Sequence, residues 1–161
     1  MTGELHYSNK QLTLLVVLRI LIGWHFLYEG LSKLVNPDWS SVAFLLDSKG
    51  FLSSFFYSLA SNPDILRIVD FLNVWGLILI GLGLILGFFS RISIIAGIVL
   101  LGMYYLSHPP FVGYTFSVPS EGAYLWINKN LIEMAALTVL LVFPTWKQIG
   151  VDRFIFKRKY S

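Results

Sequence analysis

Four apolar stretches, separated by polar connections that contain proline, dominate the hydropathy pattern of this chain. They cover residues 12–34, 71–89, 92–107 and 131–143. About 20 apolar residues in a helix, each adding roughly 1.5 Å, cross the hydrocarbon core of a bilayer. The pattern therefore predicts an all-α integral membrane protein: one domain over residues 1–161, folded as a four-helix bundle.

The connection between the first two predicted spans contains two short apolar segments, and neither is long enough to cross a bilayer. They are separated by the polar sequence Asp47-Ser48-Lys49-Gly50. Phe51, Phe55 and Leu59 recur at helical spacing, which predicts an amphipathic helix in this loop. Such an interfacial helical loop either covers the bundle as a lid or anchors the protein at the membrane surface.

The first apolar stretch carries four ionisable residues, and each costs at least ~2.5 kcal/mol at that depth unless it has a partner or water. Arg19, Glu29 and Lys33 fall within one narrow helical arc, with His25 at its edge. Glu29 and Lys33 form an i,i+4 pair. Arg19 and Lys33 could instead reach the headgroups at the two ends of the helix. Glu29 cannot reach as far and His25 lies deeper, so both are better candidates for a site, and the arc is expected to face protein or a water-filled pocket.

Composition supports the membrane assignment and narrows the chemistry. Hydrophobic residues make up 56% of the chain, charged residues 13%, and the mean hydropathy is +0.70; a soluble domain is usually more polar. The absence of cysteine excludes thiol–disulfide exchange, thiolate zinc sites, iron–sulfur ligation and covalently attached haem. With three histidines in the chain, no metal site is predicted. The net charge of +3 lies largely in the C-terminal tail, which indicates membrane orientation rather than nucleic-acid binding.

The distribution of basic residues predicts this orientation. Lys10, Arg91 and the basic tail from residue 147 onward lie on one side of the membrane, and they outnumber the basic residues on the other side. Both termini are therefore expected in the cytoplasm, in a multi-pass protein of the cytoplasmic (inner) membrane. The two long connections then lie outside, and the second is predicted to contain a β-turn near Pro119.

With this threading, every span contributes polar or amphipathic side chains to the outer half of the membrane. The candidate catalytic residues are His25, Glu29 and Glu133. The candidate cofactor-binding residues are Trp24, Tyr28, Lys33, Asn73, Trp75, His108, Asn128 and Lys129. The two carboxylates need cations, for which Lys33, Lys129 or a protonated His25 is available. A pocket with aromatic walls and carboxylate–histidine pairs suits a quinone, and it suits a lipid headgroup or a small anion nearly as well.

Short motifs spread over nearly the whole chain add a family resemblance. They are RILIGWHFLYEGLSKL (19–34), PDWS (37–40), NVWG (73–76), GFFSR (87–91), SHPP (107–110), NKNLIE (128–133) and GVD (150–152). As a set they resemble the DoxX family, and more narrowly its branch related to the DoxD small subunit of thiosulfate:quinone oxidoreductase. The resemblance implies a four-helix membrane protein that acts with a second subunit and passes electrons from thiosulfate to a quinone. The candidate residues it carries over, without assigned roles, are Arg19, Trp24, Glu29, Lys33, Asn73, Trp75, Arg91, Asn128, Lys129 and Glu133.

Two functional hypotheses follow. The first is the membrane subunit of a quinone-linked oxidoreductase, in which the outer cluster binds quinone or a small oxidisable substrate. The second is a non-catalytic scaffold or partner of a redox complex, or a small-solute carrier, although a carrier would more often show inverted repeats and broken helices. The expected partners are the lipid bilayer, a second oxidoreductase subunit or a second copy of the chain, and no nucleic acid. Whether a haem uses His25 or His108 is left open.

Overall fold

The computed structural model describes residues 7–111, 113–117 and 125–156, and this part of the chain is helical without a β-strand. Its helices are α1 Asn9–Leu34, α2 Val42–Leu46, α3 Ser53–Ser61, α4 Pro63–Leu86, α5 Ser90–Ser107, α6 Lys129–Val142 and α7 Asp152–Phe156, with a 3₁₀ turn at Thr145–Lys147. By length and composition, α1, α4 and α5 are candidate membrane spans. The chain is thus a multi-pass membrane protein, and its described part is helical.

The second and fourth predicted spans differ most from the helices of the structure. The second span, predicted over 71–89, belongs to a helix that begins at Pro63 and ends at Leu86. The side chain of Asn62 accepts hydrogen bonds from the backbone of Asp64 and Ile65, and proline is well suited to the first helical position. At the predicted fourth span, α6 has 14 residues, or about 21 Å, which is short of the roughly 30 Å hydrocarbon core. The structure therefore shows three candidate membrane spans, and the predicted fourth span is not confirmed.

The long helices form a closed ring of contacts in which α1 contacts α4, α4 contacts α5, α5 contacts α6, and α6 contacts α1. The buried side chains inside this ring include Phe26, Leu84, Ile94, Leu101, Leu137 and Leu140. We call the end that holds the 35–62 connection and the start of α6 the loop end, and the opposite end the terminus end. Both His25 and Glu133 lie towards the loop end of their helices.

Glycines bring α1 and α4 together at backbone distance. A Cβ atom on Gly81 would lie 2.6 Å from the backbone nitrogen of Leu27 and 2.7 Å from the carbonyl oxygen of Gly23. The small-xxx-small spacing of Gly83 and Gly87 also predicts a close approach of helices at that pair. Gly83 does abut Ser93 of α5, but Gly87 ends α4 with a φ of 66° and lies against Gly150 instead.

The connection between α1 and α4 is docked over the loop end. The backbone nitrogen of Lys49 and the hydroxyl of Ser48 both donate to the carbonyl oxygen of Ser107, at 3.0 Å each. Asp70 accepts hydrogen bonds from Ser40 and from the backbone of Ser41, at 2.8 and 2.9 Å. These contacts support the lid interpretation, and we call the 35–62 connection between α1 and α4 the lid. The predicted β-turn near Pro119, in the other connection, lies outside the described residues.

The predicted amphipathic helix of this connection is present as α3, which begins after Phe51 and has Leu59 partly buried. Phe51 and Phe55 are exposed, while Phe56 is buried. Outward-facing aromatic side chains near the end of membrane helices are typical of interfacial anchors. The lid and anchor interpretations are therefore compatible, because one face of the loop docks and the other is left for the membrane surface.

Arg19 is enclosed at the terminus end, where it is 2% exposed. Its Nη1 donates to the carbonyl oxygen of Ile149 at 2.9 Å and to Oγ1 of Thr145 at 3.3 Å. The alternative in which Arg19 reaches the headgroups is therefore wrong. The arginine instead ties the first helix to the segment after α6.

Two of the family-like motifs meet beside Arg19. The carboxylate of Asp152 accepts hydrogen bonds from the backbone nitrogens of Phe89 and Ser90, at 2.8 and 2.9 Å, and so caps the start of α5. The backbone nitrogen of Asp152 donates to the carbonyl oxygen of Gly87 at 2.8 Å. These contacts explain the GFFSR and GVD motifs structurally, while Arg91 is exposed in the same turn.

Candidate functional site

His25 of α1 and Glu133 of α6 join two helices through a polar contact. Nδ1 of His25 lies 2.9 Å from Oε1 of Glu133, and the glutamate side chain is only 10% exposed. An ionised carboxylate can only accept a hydrogen bond, so in this contact Nδ1 is the donor and Nε2 is the ring nitrogen that is left for another partner. Nε2 of His25 and Oε2 of Glu133 are both buried without a hydrogen-bond partner among the described residues. Buried polar atoms in this state are expected to have a partner that is a ligand or water.

This pair borders an open groove of about 420 Å³ between α1 and α6. The groove is lined by Leu18, Leu21, Ile22, His25, Lys129, Ile132, Glu133 and Ala136. Leu21 and Ile132 are both exposed on the outside of the helix ring, where lipid chains contact a membrane helix. The groove is therefore accessible from the bilayer and has its few polar groups gathered at His25.

Glu29 and Lys33 form the expected i,i+4 ion pair on α1. Their charged atoms are 3.1 Å apart, and Nζ of Lys33 lies 5.6 Å from the ring centre of Trp39. The lysine is the more enclosed partner, with 17% of its side chain exposed against 42% for Glu29. Lys33 therefore has partners within the protein, in the last turn of α1. Glu29 also lies within electrostatic range of His25 and Lys129.

Asn73 of α4 and Tyr104 of α5 extend these polar contacts across the other two helices. The Asn73 side-chain nitrogen lies 2.7 Å from the Tyr104 hydroxyl, and Oδ1 of Asn73 is buried without a partner in the described part of the chain. Reversing the amide would leave the nitrogen unpaired instead. Tyr104 is within electrostatic range of Glu29. We call the resulting set the polar cluster: His25, Glu29, Lys33, Asn73, Tyr104, Lys129 and Glu133.

His108 lies above the cluster, in the joint between the lid and α5. Its ring stacks on Phe44 at 4.0 Å and lies 4.5 Å from Phe116. Burial lowers the pKa of His108 below its ordinary value, and Lys49 acts in the same direction, whereas Asp47 opposes this shift. Nε2 of His108 is 3.8 Å from Asp47. His108 therefore packs against the lid above the polar cluster. Phe44 of the lid contacts both His108 and Tyr104, so it links His108 to the cluster.

Asn128 acts as the N-cap of α6. Its side chain accepts a hydrogen bond from the backbone nitrogen of Leu131 at 3.0 Å. Because the cap fixes where α6 begins, it places Lys129 and Glu133 one turn apart beside α1. This is a positioning contribution, distinct from contact with a ligand.

The structure does not bring three predicted cofactor-binding residues into the cluster. Trp24 and Tyr28 are 59% and 62% exposed, and Trp75 is exposed as well. Trp24 and Tyr28 each precede a cluster residue by one position, and one position turns a helix by about 100°. All three side chains lie on the outside of the helix ring, where aromatic residues near a membrane interface are common.

Tyr104 and Phe44 were not among the predicted site residues. The ring of Phe44 contacts the rings of both Tyr104 and His108, so it joins the lid to the cluster. One signal was present in the sequence, because Tyr104 and His108 are four positions apart and so share a helix face. Nothing in the local sequence indicated Phe44, which depends on how the lid folds back.

Comparison with known proteins gives one match. A search of curated proteins finds none, and a search of solved structures finds none either. The family model of DoxX matches residues 14–109, which is more than half of the chain. The matched region holds α1, the lid, α4 and α5, whereas Lys129 and Glu133 of α6 lie beyond it. From this match, the chain belongs to the DoxX family of membrane proteins.

Proposed function

We propose that this protein is the membrane subunit of a quinone-linked oxidoreductase and that the His25–Glu133 pair binds the quinone headgroup. The observation that carries the proposal is the His25–Glu133 contact, which leaves Nε2 of His25 as the unpartnered ring nitrogen beside a groove accessible from the bilayer. DoxX proteins are often associated with oxidoreductase functions. Quinones dissolve in the membrane, so they can reach a groove that is open to the bilayer. They also carry two oxygens that accept hydrogen bonds, so one of them can accept from His25.

When bound, a quinone accepts two electrons and two protons to become a hydroquinone. His25 supplies the proton step: protonated Nε2 donates to a carbonyl oxygen and releases its proton as electrons arrive. Glu133 accepts from Nδ1, which holds the imidazole ring in one orientation and stabilises its charged form. Lys129 and Glu29 are the nearby charged groups through which His25 regains a proton from the loop end.

The electrons come from a second subunit that oxidises a small sulfur compound. The family resemblance in the sequence supports thiosulfate: two thiosulfate ions join through a new S–S bond to form tetrathionate and release two electrons. Those two electrons match the requirement of one quinone. In this division of roles, the second subunit oxidises thiosulfate, and this chain binds the quinone and delivers protons to it.

The proposal includes a membrane arrangement. The contacts of α6 with both α1 and α5 support α6 as a fourth membrane helix, continued by the segment that docks on Arg19. The excess of basic residues at the terminus end supports an inner-membrane protein with both termini in the cytoplasm. The polar cluster and its lid then face the outside, where an oxidising partner would meet its substrate.

Turnover in membranes tests the proposal. Membranes that contain this protein and its partner subunit receive a short-chain quinone and thiosulfate, and quinone reduction is followed by absorbance. We expect His25→Ala and Glu133→Gln to slow the reaction by ~10²–10⁴-fold, the usual contribution of a proton-transfer group. Asp38→Asn is the matched control for Glu133→Gln, because Asp38 is an exposed carboxylate in the connection after α1.

The same measurements separate the two functional hypotheses. Equal rates for Glu133→Gln and Asp38→Asn, with both proteins folded, would contradict the role of the pair. Quinone binding to the isolated protein without turnover is expected for a subunit. If the isolated protein neither binds nor reduces quinone, the scaffold or carrier hypothesis is favoured.

A further inference from the structure

The groove between α1 and α6 is polar at one end and apolar at the other. On α1, the lining residues Leu18, Leu21 and Ile22 precede His25. On α6, Ala136 follows Glu133. Because α1 ends and α6 begins at the loop end, both helices place their polar lining residues towards that end. The seven positions from Leu18 to His25 correspond to roughly 10 Å along the groove.

The arrangement of a polar end and an apolar end favours a ligand with a polar head and an apolar tail. A small hydrophilic anion would use only the polar end and would leave the apolar part of the groove to lipid. A molecule with a polar head and an apolar tail would satisfy both parts at once, because its tail covers apolar surface along the helices. The unpartnered Nε2 of His25 fixes the position of the head, and Glu133 orients the histidine ring through Nδ1.

We propose that the groove binds a tailed quinone in a single orientation, with the head at His25 and Glu133 and the first tail units along Leu18, Leu21 and Ala136. This inference rests on the proposed function and adds recognition of the tail to it. Ala136 is a specificity-determining residue, because its small side chain leaves the apolar end of the groove open. A larger residue there would occupy the space of the tail and leave the head site unchanged.

The chain offers matched variants for this test. Ala136 is partly buried and lines the groove, whereas its neighbour Ala135 is exposed on another face of α6. Ala136→Leu and Ala135→Leu therefore make the same chemical change at a tail contact and away from it. Leu21→Ala is a second test, at a side chain that is exposed and outside the buried core.

The experiment measures binding to the full chain in lipid nanodiscs, without any turnover. The probes are a benzoquinone with no tail and the same ring with a tail of two isoprene units, each titrated relative to lipid. We expect Ala136→Leu and Leu21→Ala to weaken binding of the tailed quinone on the order of tenfold. The same variants should leave the tail-less quinone within about twofold, and Ala135→Leu should change neither.

Each outcome has one meaning. His25→Ala should weaken both quinones, because it acts on the head. If His25→Ala does so while Ala136→Leu and Leu21→Ala change nothing, the proposed function stands and the tail inference is overturned. If Ala136→Leu weakens both quinones equally, the two-part groove is overturned. If the unaltered protein binds neither quinone, the proposed function fails, and the tail inference fails with it.

Discussion

Replacing Asp152 by alanine should destabilise the protein at the terminus end. The carboxylate of Asp152 caps α5 from 62 positions away, through its contact with Ser90. The residue in the N-cap position of α5, Phe89, supplies no side-chain hydrogen bond and has a φ of 47°. No other side-chain cap is therefore available at the start of this helix among the described residues.

The cost has two parts. Loss of an N-cap costs roughly 0.5–2 kcal/mol. Removing one member of a buried charged pair costs about 3–5 kcal/mol, but Asp152 acts on Arg19 only through the electric field, and Arg19 keeps its hydrogen bonds to Ile149 and Thr145. We therefore expect about 3 kcal/mol in the free energy of unfolding, which is on the order of a hundredfold in the unfolding constant.

Unfolding of the purified protein in detergent–SDS mixtures measures this change. Asp64→Ala is the control, because Asp64 is an exposed acid in the first turn of α4, where Asn62 already provides the cap. Its loss affects only the helix dipole, at about 0.3–1 kcal/mol. If Asp152→Ala unfolds at the same SDS fraction as Asp64→Ala, Asp152 does not hold the two motifs together.

Two further predictions concern the lid and the orientation. Because burial lowers the pKa of His108, its neutral form is favoured in the folded state; lid stability should be full above the unfolded pKa of about 6.5 and decrease as the pH falls through the lower folded value. Hydrogen exchange over residues 42–61, corrected for intrinsic rates, should therefore rise in acid, and a similar rise in His108→Phe would contradict this origin. Ser54→Cys, exposed on α3, should react with an impermeant maleimide in intact cells, whereas Lys10→Cys should react only after permeabilisation. The reverse pattern would place the polar cluster on the cytoplasmic side.

The ionisable residues of α1 were predictable from the sequence because desolvation leaves them few alternatives. A buried acid needs a donor or a cation, and this requirement already made His25 a candidate partner for a carboxylate. The i,i+4 spacing likewise specified the Glu29–Lys33 pair, which depends only on helix geometry. Predictions of this kind succeed because they need no knowledge of how distant segments pack.

The differences between the predictions and the structure have another origin. Trp24, Tyr28 and Trp75 were grouped with the site by residue type, but the lipid and the protein interior are both apolar, so an aromatic side chain is stable in either. The start of α4 was placed at residue 71 because hydropathy reports contact with lipid, whereas the helix itself begins at Pro63 through its cap. The partners of Arg19 lie 126 and 130 positions away, beyond the reach of any local pattern.

Comparison of Arg19 with His25 shows what separates a structural charge from a candidate site within one membrane helix. Both residues face protein, and both retain a buried nitrogen without a partner among the described residues. An unpaired atom is therefore insufficient as a criterion. Arg19 is enclosed by the segment after α6, whereas His25 borders a groove that is open to the bilayer. The open groove beside the pair, rather than burial of the charge, is the property that makes His25 and Glu133 the residues to test for function.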